Sequence, residues 1–156
     1  LLRSFHHAGG RFFTLRFVNT APGVGALDLY VTAPDADLSA SAPSIANAPY
    51  GSGTLFTSIA TGSSFELRIT PAGTKDVIFD SVPQTFAAHS GADIVAFGKG
   101  SGKLVNVVLL RNDDAGSGTL VDNLLTQYKV VNASLLPSAL HFFVDDRLQL
   151  VNVAHT

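Results

Sequence analysis

Few residues in this chain are of types that do chemistry, and their spacing decides what chemistry is open to them. The run Gly98–Lys103, GKGSGK, offers glycine amides and an ammonium of the kind that cradle a phosphate. A phosphate loop needs four residues between its glycines and a Ser or Thr after the Lys, whereas here Leu104 follows Lys103; the run reads as a flexible hairpin loop. His6 and His7 are adjacent, and adjacent side chains on an extended arm point opposite ways, so they make a poor metal pair. His89, His141 and His155 stand singly. Hard oxygen ligands for Ca²⁺ occur at Asp35 and Asp37, and at Asn112, Asp113 and Asp114, but without EF-hand spacing, and turn-capping accounts for both groups. Ser, His and Asp are all present without a G-x-S-x-G elbow, so nothing points to a triad. Asn132-Ala-Ser134 fits a glycosylation sequon, a common chance match. No catalytic, cofactor-binding or metal-binding residue is assigned. Reviving an enzyme reading would take a cleft with converging titratable groups.

Composition limits the partners in the same way. The chain has 156 residues, 46% of them apolar, enough for a substantial core in one domain or in one domain and part of another. Charged residues make up 14%, below the usual quarter, and 10 basic against 12 acidic side chains leave a net charge of −2. That balance argues against nucleic acid, which calls for a basic field. Cysteine is absent, which excludes disulfides and thiolate metal sites. Methionine is absent too, so Leu1 is not an ordinary translation start; trimming is expected, with an export signal among the parts that trimming removes. No apolar run reaches the roughly 18 to 20 residues that a membrane-spanning helix needs, so the chain is expected to be soluble or surface-attached.

The elements that must position any site are strands. Arg16–Val31, RFVNTAPGVGALDLYV, returns as Lys129–Val144, KVVNASLLPSALHFFV, with Asn19 matching Asn132, Ala26 Ala139, Leu27 Leu140 and Val31 Val144 at one 113-residue offset (132 minus 19, 144 minus 31). Leu27, Leu29 and Val31 alternate with Asp28 and Tyr30, as Leu140, Phe142 and Val144 do with His141 and Phe143, so each copy reads as strand, turn, strand. Phe13, Leu15 and Phe17 share one face of an edge or near-edge strand over Phe12–Asn19. Residues 33–49 hold several prolines and form a long loop, with a short helical turn at Asp35–Leu38. Strand character resumes at Thr54–Ile59, and Phe65–Thr70 places Phe65, Leu67 and Ile69 inward and Glu66, Arg68 and Thr70 outward. After the PAGT turn at Pro71–Thr74 come Val77–Asp80, Thr85–Ala87, Asp93–Phe97 and Leu104–Leu110, the last apolar on both faces as if covered on both sides. Seven or eight short strands spaced about ten residues apart predict an antiparallel β-sandwich with little helix. Its core is expected to contain Leu15, Phe17, Leu27, Leu29, Phe65, Leu67, Ile69, Val105 and Val107.

The VN.AP..GA.D.YV opening, the PAGT turn and the closing Asp113–Asp114 resemble the bacterial cell-envelope modules of domain-of-unknown-function family 4397, well over Arg16 to about Asp114 and in part over Tyr128–Thr156. The resemblance implies an immunoglobulin-like or transthyretin-like sandwich, often in tandem, on an exported, extracellular or cell-envelope protein. It implies no activity and brings no catalytic residues. The second copy departs from the pattern with His141 where the first has Asp28, and it falls short of a full domain.

Organisation follows as an arm over residues 1–11, a sandwich over 12–114, a linker over 115–125 and a partial second repeat of about three strands over 126–156. Three strands cannot make two layers, so Tyr128, Val130, Leu140, Phe142, Val144, Leu148 and Leu150 are expected to serve assembly. The leading expectation is a structural or adhesive module that forms a homo-oligomer or homopolymer, by strand addition between molecules. A piece of a longer tandem-repeat surface protein is an alternative. A second class is a module binding a cell-surface glycan or other envelope component through Tyr30, Tyr50 and Phe56, provided these aromatics are not buried in the core.

Overall fold

A computed structural model of the protein describes residues 11–98, 100, 102–112, 118–133, 139–144 and 147–154. The expected arm, apart from Arg11, and the closing Asp113–Asp114 lie outside the described residues. Among those described there is no helix, and none is long and apolar enough to cross a membrane. The chain divides by its internal contacts into a unit ending at Leu125 and a second from Thr126 onward.

The first unit is built on β1 (Phe12–Thr20), in which Phe13, Leu15, Phe17 and Asn19 are buried on alternate positions. β1 was expected near an edge. It is instead interior, because β4 (Ser52–Gly53) and β5 (Thr57–Ala60) pair with it antiparallel on one side and β8 (Gly91–Gly98) pairs with it on the other. The β1–β8 pairing is parallel, from Thr14 opposite Gly91 to Thr20 opposite Phe97, so the sheet is mixed rather than purely antiparallel. β9 (Val105–Arg111) and β10 (Gly118–Val121) extend it by antiparallel pairing. The second sheet is antiparallel, in the order β3 (Ile45–Ala48), β2 (Leu27–Thr32), β6 (Glu66–Pro71), β7 (Phe79–Asp80).

Inward side chains of both sheets form one core, which contains all nine residues expected there. Phe13 stacks on Phe86 at 4.6 Å between ring centroids and meets Phe65 edge-on at 5.0 Å. Two asparagines stitch the seams where the chain passes between the sheets. Asn19 donates from Nδ2 to Gly25 O and Ala48 O (2.9 and 3.0 Å) and accepts from Ala21 N. At the other side Asn123 Oδ1 accepts from Asp80 N, and its Nδ2 donates to Val105 O.

Several expectations need correction. Residues 118–121 are not linker but β10, and Asn123 bridges to Ser81. Gly118 lets β10 approach β9 closely there: a Cβ would lie 2.8 Å from the tip of the Leu110 side chain, which would have to shift. The outer face of β9 is half open rather than covered, with Leu110 exposed. Thr85–Ala87 is not a strand, although its neighbour Gln84 bridges to Phe65. At 35–38 there is no helical turn; Ala36 N bonds Ala33 O in a tight turn with Asp35 at φ 58°.

Glu66, Arg68 and Thr70 do lie on the face opposite the core, but they are buried. Residues 33–44 form a strap held against that face: Glu66 Oε2 accepts from Asp35 N (2.8 Å), and Arg68 Nη2 donates to Ala36 O (2.7 Å) and to Thr32 Oγ1 (2.9 Å). Alternation along a strand specifies which face a residue takes, not what covers that face. Asp28, on the same side, accepts from Asn47 N and from Gly73 N, joining β3 to the PAGT turn. That turn has Gly73 at φ 75° and closes by Thr74 N to Pro71 O, as a type II turn requires.

The second unit contains a two-stranded hairpin of β11 (Leu140–Val144) and β12 (Arg147–Val153), irregular in register around Phe142. Tyr128–Asn132 was expected as a third strand, but only Asn132 makes a bridge. Asn132 is buried and donates from Nδ2 to Val153 O.

Candidate functional site

The hairpin brings together the residues expected to serve assembly. Leu140, Val144, Leu148 and Leu150 are exposed, Phe142 and Val130 are half-buried, and the Tyr128 ring lies 5.3 Å from that of Phe142, its hydroxyl paired with Gln149 Oε1. Phe143 and Val151 are exposed as well and were not singled out by the strand pattern. Successive strand residues point to opposite faces, so exposed Phe143 beside exposed Val144, and Leu150 beside Val151, make both faces of the hairpin apolar. A run of consecutive apolar residues was the signal available in the sequence. Two-stranded hairpins are marginal in water, and this one carries little of its own to bury.

The aromatic platforms separate into buried and open. Tyr30 is 2% exposed, on the strap side of the second sheet, with Lys75 Nζ 4.6 Å from its ring centroid and 3.2 Å from its hydroxyl; it is not a surface platform. Tyr50 and Phe56 are exposed. The Arg16 guanidinium lies 5.1 Å from the Phe56 ring centroid and pairs through two nitrogens with Asp93, at 2.9 and 2.6 Å. That pairing raises the Arg16 pKa.

The polar candidates have structural places. Asp37 accepts from Ser39 Oγ and Ser39 N, which lowers its pKa, and so caps a turn in the strap. Gly98–Lys103 connects β8 to β9, and Gly100, Gly102 and Lys103 line a cleft of about 300 Å³ with Pro22, Gly23 and Val24. His89 adopts φ 64° in a turn, and its amide donates to Phe12 O. Among the described residues no group of three or more potential ligands surrounds a metal position. His6, His7, His155, Asp113 and Asp114 lie outside the described residues.

The sequence reading missed a cluster beneath the strap. Arg68 on β6 opposes Asp80 on β7, with Glu66 beside them. Burial and the hydrogen-bonded Glu66 carboxyl push Asp80 up to about 6. Comparison with family models, curated proteins and solved structures gave no match to this chain.

Proposed function

We infer that this chain is a non-catalytic structural or adhesive β-module of the bacterial exterior that associates with copies of itself through the β11–β12 hairpin. The observation that carries the reading is the hairpin: apolar on both faces and, among the described residues, two strands wide. Strand addition to a neighbouring molecule would cover both the edges and the apolar side chains. Repeated head to tail, such a contact builds an open filament unless its geometry closes a ring. Support for the exterior location comes from the family resemblance together with low charge and absent cysteine. An immunoglobulin-like or transthyretin-like ancestry and a tandem second copy belong to the same proposal; the matched β2 and β11, each with a buried asparagine before it, support it locally.

Sedimentation and electron microscopy test this, comparing the intact chain with one lacking residues 128–156 and with Leu148→Lys/Leu150→Lys. Loss of assembly in both variants is expected. A monodisperse monomer at tens of micromolar for the intact chain, or unchanged assembly in the variants, overturns the reading. Exposed Tyr50 and Phe56 favour glycan binding as a second reading. Retention on an immobilised polysaccharide that is lost in Tyr50→Ala/Phe56→Ala would favour it.

A further inference from the structure

The two sheets of the first unit end in four outer strands, and three of them are closed to a neighbour. The free side of β7 is taken: Leu124 N donates to Asp80 O, Asp80 N donates to Asn123 Oδ1, and Asn123 bridges to Ser81. In β3, Asn47 turns the backbone to φ 54°, and Ala48 O is already held by Asn19 Nδ2. The strand beyond β1 is split into β4 and β5 by a bulge, in which residues 54–56 stand opposite only Arg16 and Phe17. Thr54 N donates to Phe17 O and Thr54 Oγ1 accepts from Phe17 N, while Leu55, 89% exposed, projects between the two pieces. A bulge of this kind stops a foreign strand from running along the edge.

β10 has none of these obstructions. It ends the first sheet on the other side, pairs with β9 over four residues without a shift of register, and among the described residues no strand pairs with its outer side. It also carries the open end of an apolar row. On the face turned away from the core, Val18, Val95, Val108 and Leu120 stand opposite one another across β1, β8, β9 and β10; the first three are half-buried and Leu120 is 60% exposed. Exposed Leu110 lies on the same face, two residues along β9 from Val108.

We propose, on the footing that the hairpin is the assembly element, that β10 is its acceptor edge: the β11–β12 hairpin of a second copy adds beside Gly118–Val121 and carries the apolar row on from Leu120. The backbone groups along an outer strand are matched in full only by another strand, and among the described residues the strands outside the first unit are β11 and β12. An added hairpin has one face on the side of Leu120 and the other on the side of buried Val121, so one that is apolar on both sets no polar surface against either. Donor and acceptor are different elements of the chain, so the contact is heterologous and repeats from copy to copy.

The chain has no cysteine, so single introduced thiols report the contact. Full-length Thr119→Cys and full-length Val151→Cys, both altered at exposed positions, are mixed under assembling conditions and treated with a short bis-maleimide. A mixed dimer is expected, its linked peptides identified by mass spectrometry; each chain has one thiol, so linkage within a molecule cannot imitate it. Ser58→Cys on β5, mixed with Val151→Cys, should give none. Leu120→Lys added to Thr119→Cys should abolish the link. Assembly without the mixed dimer, linkage through position 58 instead, or a link that survives Leu120→Lys overturns β10 as the acceptor and leaves the hairpin reading standing. An intact chain that stays monomeric overturns both.

Discussion

Strands β2 and β11 carry matched sequence and meet opposite fates. Leu27 is 0% exposed and its counterpart Leu140 is 43% exposed, although both sit at the same point of an alternating strand. β2 lies between β3 and β6, in a sheet packed against a second one, whereas among the described residues β11 pairs as a strand only with β12. The neighbour differs too: β12 occupies the positions that correspond, 113 residues earlier, to 34–40, which in the first unit belong to the strap. Extended conformation is thus set locally, while burial is conferred by whatever the rest of the chain brings alongside.

The largest test of this contrast is one substitution made twice. Leu27→Ala should lower the unfolding free energy by roughly 2 to 5 kcal/mol, since it opens a cavity in a closed core. Leu140→Ala should cost less than about 1 kcal/mol. Denaturant titration of each variant reads the difference, and equal costs would mean that β11 is buried in solution. A smaller effect separates the matched asparagines. Asn19→Ala strands Ala21 N, Gly25 O and Ala48 O and should cost about 1 to 3 kcal/mol, whereas Asn132→Ala gives up its bond to Val153 O at a hairpin and should cost under about 1. Gly118→Val probes the outer strand of the first sheet: its side chain would press on those of Leu110 and Val108, so β10 amides should lose exchange protection while β2 amides keep theirs. The smallest effect lies within the strap. Asp37 has a lowered pKa, so the stability it lends is present above its ordinary value and lost as pH falls through the depressed one, the reverse of Asp80. Strap protection should therefore decline in strong acid, and Asp37→Asn should remove that decline.

Much of the core was legible from alternation. Phe13, Leu15 and Phe17, like Phe65, Leu67 and Ile69, repeat every second residue with polar neighbours, and all are buried. What escaped depends on distant parts of the chain. Glu66 and Arg68 look like ordinary solvent-facing charges until a strap more than twenty residues earlier folds over them. Tyr30 alternates outward and is covered by that strap side for the same reason. β10 was hidden by its brevity and by the glycine and serine before it, which resemble a linker although Gly118 is there for close approach to β9. The parallel partnership of β1 with β8 has no signature in either strand, because side-chain period carries no information about partner direction. The assembly residues were legible as apolar positions; the openness of both hairpin faces became evident from exposure.

The direction of β1 beside β8 also governs how the first unit would bear tension. β8 runs parallel to β1, β9 reverses and β10 reverses again, so β1 and β10 point the same way. A pull between Phe12 at the start of β1 and Val121 at the end of β10 therefore runs lengthwise along the sheet. The ladder from Thr14 to Thr20 is then loaded in shear, with its hydrogen bonds strained together instead of peeling one at a time. A chain without a single disulfide would in this way resist extension through strand direction alone.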